Sequence, residues 1–258
     1  MTVPDPHNLT RSNRARVYNG LDGGKEALGP HREIAQELTE LLPGLPKAAP
    51  DNRAFLDEAV ITLARSGITQ FIDLGAGFPR TGPDLHTIVR EHALDARMVY
   101  VDCDVPVVAH WRAKLKGRGL AAVERDALNP SEVLGAYEMQ LLIDFDQPVG
   151  LVMGLLVHFW SDEELRVLET YLKALAPGSG LVLSHATTMG LTQEQLARAV
   201  SAYKQPIYPR SEEEIRALFD SLDLLPPGVV AVRDWPLHSG VDEPPLFLGG
   251  VALTRAER

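Results

Sequence analysis

Cysteine is almost missing from this sequence. The single Cys103 excludes an internal disulfide framework and any zinc site built on clustered cysteines. Long apolar runs are missing too. The longest, residues 149–160, contains His158, reads as a buried strand and is too short to cross a bilayer. No apolar run with a basic flank opens the chain, so a cytoplasmic protein without membrane contact is expected. Basic charge is in deficit: 25 Lys and Arg stand against 35 Asp and Glu, for a net charge of −10. That balance argues against a nucleic-acid surface, because phosphate binding relies on clustered cations. His158 and His185 have no cysteine or carboxylate beside them at ligand spacing, so no metal is expected.

The apolar content is ordinary. With 45% hydrophobic residues among 258, the chain suits one large α/β domain with a sizeable core. Residues 1–9 read as a loose tail. Residues 19–25, Asn-Gly-Leu-Asp-Gly-Gly-Lys, read as a glycine-rich connector or a lid offering Tyr18 and Lys25 as polar contacts. The residue after Lys25 is Glu26, which excludes a phosphate-binding Walker loop. Residues 30–42 carry a helical apolar face opened by Pro30 and stopped by Pro43, Gly44 and Pro46. Asp51 then caps a second helix that ends at Gly67, which puts Arg53 in a first turn where the helix dipole disfavours a cation.

From residue 70 onward strands and helices alternate. Strands are expected at 70–74, 98–101, 120–123, 149–153, 181–184, 229–232 and 247–253. Helices are expected at 106–116, from Ser131 to about residue 143, from Ser161 to Pro177, at 192–203 and at 211–219, with Glu164 completing a capping box for Ser161. The pattern implies a seven-stranded, mostly parallel, doubly wound sheet with an antiparallel last strand. Residues 1–66 are a helical amino-terminal extension, and residues 67–258 a Rossmann-like core of the same domain.

The sheet is organised around Asp73-Leu74-Gly75-Ala76-Gly77, a short buried strand ending in a sharp turn. In such sheets ligands bind at the carboxyl ends of the strands, where the strand order reverses. The dinucleotide fingerprint needs a third glycine where Arg80 stands, so it fails here. Asp73-x-Gly75-x-Gly77 instead resembles motif I of class I S-adenosylmethionine methyltransferases, with Pro79 where a further glycine is usual. In that context Asp102, 25 residues after Gly77, would accept from both ribose hydroxyls, with Asp104 a weaker competitor. Asp126 and the Ala127 amide would read the edge of adenine, and Cys103 would pack beside it. Gly75, Ala76, Gly77 and Gly154 would bring backbone up to the cofactor.

Further segments carry the likeness across residues 11–253: Arg16-Val17-Tyr18, Gly23-Gly24-Lys25, Asn52-Arg53-Ala54-Phe55-Leu56, Val99-Tyr100-Val101-Asp102 and Leu183-Ser184-His185-Ala186. Together they resemble a largely uncharacterised bacterial family of class I S-adenosylmethionine-dependent methyltransferases. The resemblance implies a methyltransferase with S-adenosylmethionine as cofactor and a small-molecule acceptor. Methyl transfer from a sulfonium is an in-line displacement, so orienting the acceptor supplies much of the acceleration, up to ~7–11 kcal/mol. A hydroxyl or ammonium acceptor also needs a base, for which His158, Tyr18 and His185 are candidates. Tyr18, Lys25, Arg53, His158 and His185 are the expected acceptor contacts, gathered as the extension folds over the strand ends. The competing readings are a cofactor-binding protein without catalysis and, disfavoured by Arg80, an NAD-dependent reductase.

Overall fold

A computed structural model of the chain describes residues 13–255. One sheet contains β1 (Gln70–Leu74), β2 (Arg97–Asp102), β3 (Leu120–Glu124), β4 (Gly150–Gly154), β5 (Gly180–Ala186), β6 (Leu222–Leu224), β7 (Val230–Ala231) and β8 (Phe247–Thr254). The order is β3-β2-β1-β4-β5-β8-β6, with β7 pairing on β8. Strands β1 to β5 are parallel, β8 is antiparallel to β5, and β6 and β7 are antiparallel to β8. The strand order turns back between β1 and β4, which opens a crevice at their carboxyl ends.

The helices are α1 (Arg14–Leu21), α2 (Pro30–Leu41), α3 (Leu45–Arg65), α4 (Leu85–Arg90), α5 (Val105–Lys114), α6 (Pro130–Leu134), α7 (Tyr137–Leu142), α8 (Arg166–Lys173), α9 (Gln193–Tyr203) and α10 (Glu212–Ala217). Successive strand residues point to opposite faces, and both faces are buried. Phe71, Met98 and Val152 join α3 and α5 in one apolar cluster. Ile72, Val99 and Leu151 join α7, α8 and α10 in the other. This double burial is why the strands read as continuous apolar runs.

The α/β class and the antiparallel last strand agree with the sequence pattern; several boundaries differ. The sheet has eight strands rather than seven, because the three residues of β6, between a helix and Pro226, are too short to show a period. Proline at 46 does not separate two helices but opens α3 in its first turn, and Pro50 lies inside that helix. Asp51 is therefore no cap; it pairs with Lys47 one turn earlier at 2.8 Å. Arg53 lies beyond the first turn, so the dipole argument about it falls. The expected helix from Ser131 is broken at Gly135 into α6 and α7. Residues 19–21 belong to α1, where Asn19 is buried and its Oδ1 accepts from the Glu26 N–H at 2.8 Å. The expected loose tail at 1–9 lies outside the described residues.

Helix α3 lies directly on β4, β5 and β8. It approaches closely because glycines stand beneath its large side chains. A Cβ on Gly154 would fall 2.7 Å from Leu56, one on Gly180 2.5 Å from Leu63, and one on Gly249 2.8 Å from the Phe55 ring. Gly249→Ala is accordingly expected to cost about 1–3 kcal/mol through overpacking of that ring. Urea denaturation checks it; an unchanged midpoint would show that α3 has room to shift.

Candidate active site

A cavity of about 530 Å³ opens at the carboxyl ends of β1 to β4. Its floor begins at the turn after β1. Gly75 and Gly77 have φ of +70° and +62°, values that L side chains rarely adopt. Space is open where a Cβ of Gly77 would stand, which leaves a bare backbone cradle. Two side-chain hydrogen bonds hold Gly77. The Gly77 N–H donates to Asp102 Oδ2 at 2.9 Å, and Trp111 Nε1 donates to the Gly77 carbonyl at 2.7 Å. Trp111 itself stacks on Tyr100 with ring centroids 3.7 Å apart. Arg80, at the place of the missing third glycine, pairs bidentately with Asp57 of α3 at 2.6 and 3.0 Å. It ties the turn to the helix layer instead of facing a phosphate.

Asp102 ends β2 with its other oxygen accepting from the Asp104 N–H at 2.9 Å. Burial pushes its carboxyl up to about 6 despite these donors. Each of its oxygens keeps a lone pair for a ligand hydroxyl. Asp104 also borders the cavity, but its carboxylate accepts from Asn13 at the start of α1. Asp73 is buried on β1, and burial pushes its carboxyl up to about 7, with Arg53 opposing that shift and Asp102 adding to it. Cys103, Asp126 and Ala127 follow along the same edge. Burial, then Asp102, Asp126 and Asp104, push the Cys103 thiol up to about 11, so it is no thiolate nucleophile at neutral pH.

Gly154 ends β4, and His158 lies in the short helical turn that follows it. His158 is buried, its Nδ1 has no hydrogen-bond partner, and burial and nearby His185 hold its pKa well below the usual value. It is a neutral imidazole at working pH.

Two expected contacts fall away. Lys25 is exposed and lies outside the cavity wall. The loop that carries it is held against α1 by Asn19 and Arg16, whose Nη1 donates to the Glu26 carbonyl at 2.8 Å. His185 is fully buried behind the wall. β5 runs on to Ala186, so His185 lies inside the strand and Ala186 takes the wall position. Its Nδ1 donates to the Ala186 carbonyl at 2.7 Å and its Nε2 accepts from Arg210 at 3.1 Å. Burial holds it down to about 4.

Tyr18 and Arg53 do reach the cavity, brought by α1 and α3. The Tyr18 hydroxyl donates to the Ala49 carbonyl at 3.2 Å, and burial raises its pKa. It is therefore not free to act as a base. Arg53 pairs with Asp22 at 3.2 Å, lies over the Tyr18 ring at 5.2 Å and faces Asp73. Sequence reasoning missed Trp111 as a clamp on the turn and α9 as part of the wall; neither carries a motif.

A Rossmann-like sheet with reversed last strand, a bare glycine turn after β1 and an acid ending β2 defines a class I methyltransferase site. A family model described as S-adenosyl methyltransferase matches residues 3–253, and the chain belongs to that family. A candidate methyltransferase from Thermobifida fusca YX is 33% identical, with a TM-score of 0.91, over 99% of this chain and 100% of that one. A DUF574 family protein from Streptomyces avermitilis is 31% identical, with a TM-score of 0.88, over 95% of this chain and 98% of its own. At 16% identity and a TM-score of 0.53, the fold is shared by 1,6-didemethyltoxoflavin-N1-methyltransferase of Burkholderia thailandensis, over 89% of this chain and 92% of that one. That structure holds 1,6-didemethyltoxoflavin and S-adenosylhomocysteine. None of the curated proteins matches. The protein is an S-adenosylmethionine-dependent methyltransferase. No helix among the described residues is long and apolar enough to cross a membrane.

Proposed function

We propose that the enzyme methylates a small-molecule acceptor in the cytoplasm, and that the acceptor lies between the strand ends and a roof made by α1, α2, α3 and α9. The observation that carries this reading is the roof itself. Tyr18, Leu38, Arg53 and Leu196, one from each of these helices, border the same cavity as Gly75 and His158. A covered cavity of about 530 Å³ suits a small ligand better than a polymer. The net charge of −10 likewise supports an acceptor other than nucleic acid. On this reading the chain is one domain, with residues 1–66 closing the site of the core.

The cradle at Gly77, the spare lone pairs of Asp102 and the acid–base pair of Asp73 and Arg53 fit S-adenosylmethionine. Bound there, the cofactor supplies an electrophilic methyl group on a sulfonium. Asp102 holds the two ribose hydroxyls, and Asp126 with the Ala127 amide takes the adenine edge beside Cys103. Asp73 and Arg53 present opposite charges to the amino and carboxylate groups of the methionine end. Gly75, Ala76, Gly77 and Gly154 let backbone approach. His158, neutral and at the carboxyl end of β4, accepts the acceptor's proton where one must leave.

Titration calorimetry with S-adenosylhomocysteine and with NAD tests the reading: heat from the first and none from the second is expected, and the reverse would overturn it. Two variants separate the roles. Arg53→Gln should weaken S-adenosylhomocysteine binding about tenfold, the loss of one charge-assisted contact. Tyr18→Phe should leave that affinity within about threefold while lowering stability by about 1 kcal/mol, one hydrogen bond. Equal effects of the two on cofactor affinity would remove Arg53 from the cofactor site.

A further inference from the structure

Resting on the methyltransferase reading, we propose that the acceptor is an uncharged, largely apolar molecule that donates an N–H or O–H to Asn52 Oδ1. Three observations converge on this. First, the cavity wall facing away from the strand ends is apolar: Leu38, Leu42, Leu196, Val200, Ile207 and Leu246 contribute to it. Such a wall favours an apolar body.

Second, the charges that border the cavity are engaged elsewhere. Asp73, Asp102, Asp104 and Asp126 all belong to the strand-end side. Arg80 is paired with Asp57, Asp84 with Lys114 at 2.7 Å, and Arg125, beside Asp126, donates to the Glu124 carbonyl at 2.7 Å. Arg53 is paired with Asp22 and faces Asp73. Arg14 Nε donates to Gln205 at 3.2 Å, and its guanidinium lies over the Phe159 ring at 4.3 Å. A charged acceptor would be desolvated against leucines without a counter-ion.

Third, three cavity-lining residues carry a buried polar atom without a hydrogen-bond partner, Asn52, Asp84 and His158. Asp84 is paired through its other oxygen with Lys114, and His158 stands at the methyl-transfer end, which leaves Asn52 facing the acceptor side, where the hydrogen-bond network fixes which atom is free. The Tyr18 hydroxyl has one hydrogen, and it goes to the Ala49 carbonyl. The hydroxyl must then accept from Asn52, so the amide nitrogen faces it, at 3.2 Å. Asn52 Oδ1 is left buried with no donor, on a side chain only 2% exposed. An unsatisfied buried acceptor is unfavourable, and a ligand donor relieves it. A site built around such a group rejects analogues that lack the donor far more strongly than an apolar wall distinguishes shapes.

The test uses 2-naphthol, naphthalene and 2-naphthoate as probes on the intact protein, after titration with S-adenosylhomocysteine. In the saturated protein, 2-naphthol should bind at least about tenfold more tightly than naphthalene or 2-naphthoate. In Asn52→Leu the preference for 2-naphthol over naphthalene should shrink to within about threefold, with S-adenosylhomocysteine affinity kept. Failure of the wild-type protein to bind S-adenosylhomocysteine would overturn the methyltransferase reading itself. Cofactor binding with no naphthol binding, or with naphthoate preferred or naphthalene equal, would overturn this inference alone. So would an Asn52→Leu protein that keeps the hydroxyl preference, or that loses the cofactor instead. The probe comparison on the unaltered protein decides the matter even if the variant does not fold.

Discussion

Asp102→Ala is expected to weaken S-adenosylhomocysteine binding by about 100- to 20,000-fold. Hydrogen bonds to a charged group contribute roughly 1.5–3 kcal/mol each, and about 1.4 kcal/mol is tenfold in affinity, so two ribose hydroxyls account for this range. The same carboxylate also accepts the Gly77 and Asp104 amides. Its removal therefore loosens the turn that forms the cradle as well as the ribose contact. Asp104→Ala serves as the comparison. Its carboxylate is engaged by Asn13, and its loss should change cofactor affinity by no more than about threefold, the scale of a partly exposed polar contact. Titration calorimetry on both variants decides: a larger loss from Asp104→Ala would move the ribose contact to the wrong side of Cys103.

Between pH 8 and pH 5 the affinity for S-adenosylhomocysteine should fall by about a thousandfold. The sign follows from the carboxyls. Asp73 is pushed up to about 7 and Asp102 to about 6 in the free enzyme, burial being the main cause in both. Both must be ionised to hold an ammonium and two hydroxyls, so binding expels protons wherever the free enzyme still carries them. Each proton expelled costs about tenfold in affinity per pH unit below its pKa, which gives two decades from Asp73 and one from Asp102 at pH 5. Calorimetry in buffers of different ionisation enthalpy would register the released protons. Asp73→Asn should flatten the curve between pH 7 and pH 6; a wild-type affinity that stays level from pH 8 to pH 5 would show that these acids are already ionised.

In the free enzyme the same raised carboxyls favour folding at low pH, a contribution lost as pH rises through about 6 to 7. His185, held down to about 4 by burial, works in the other direction: the stability it permits is present above the ordinary histidine value and lost as pH falls toward 4. Cofactor binding thus shifts the stability optimum upward in pH by relieving the two acids.

The strand-and-helix order was legible because the central parallel strands bury both faces and so show as largely apolar runs. The turn was legible because Gly75 and Gly77 leave no other economical reading after a buried acid. His158 and His185 look alike in sequence, each just past an apolar strand. They part only because β5 extends two residues beyond Ser184 and turns His185 into the sheet. Lys25 was misread because glycine content suggests mobility, whereas Asn19 and Arg16 hold that loop by hydrogen bonds across several residues. The start of α3 was misread because Pro46 and Pro50 act as breakers in most settings. Trp111 was hidden for a different reason. Its role depends on Gly77, 34 residues away, and no local pattern encodes such a pair.

The glycines beneath α3 bear on how the protein can change over evolutionary time. With Phe55, Leu56 and Leu63 seated on Gly249, Gly154 and Gly180, the helix that carries Asn52 and Arg53 is locked to β8, β4 and β5, and β4 in turn pairs with β1, which carries Asp73. The methyl-donor half of the site is one rigid part, whose residues cannot drift singly without disturbing the core. Helix α9 leans instead on α2 and has many exposed positions. Leu196 and Val200 can therefore be exchanged without touching that part. The apolar fit to the acceptor is thus free to evolve fast on the outer helices, while methyl-donor chemistry and the Asn52 contact change slowly, fixed by the sheet.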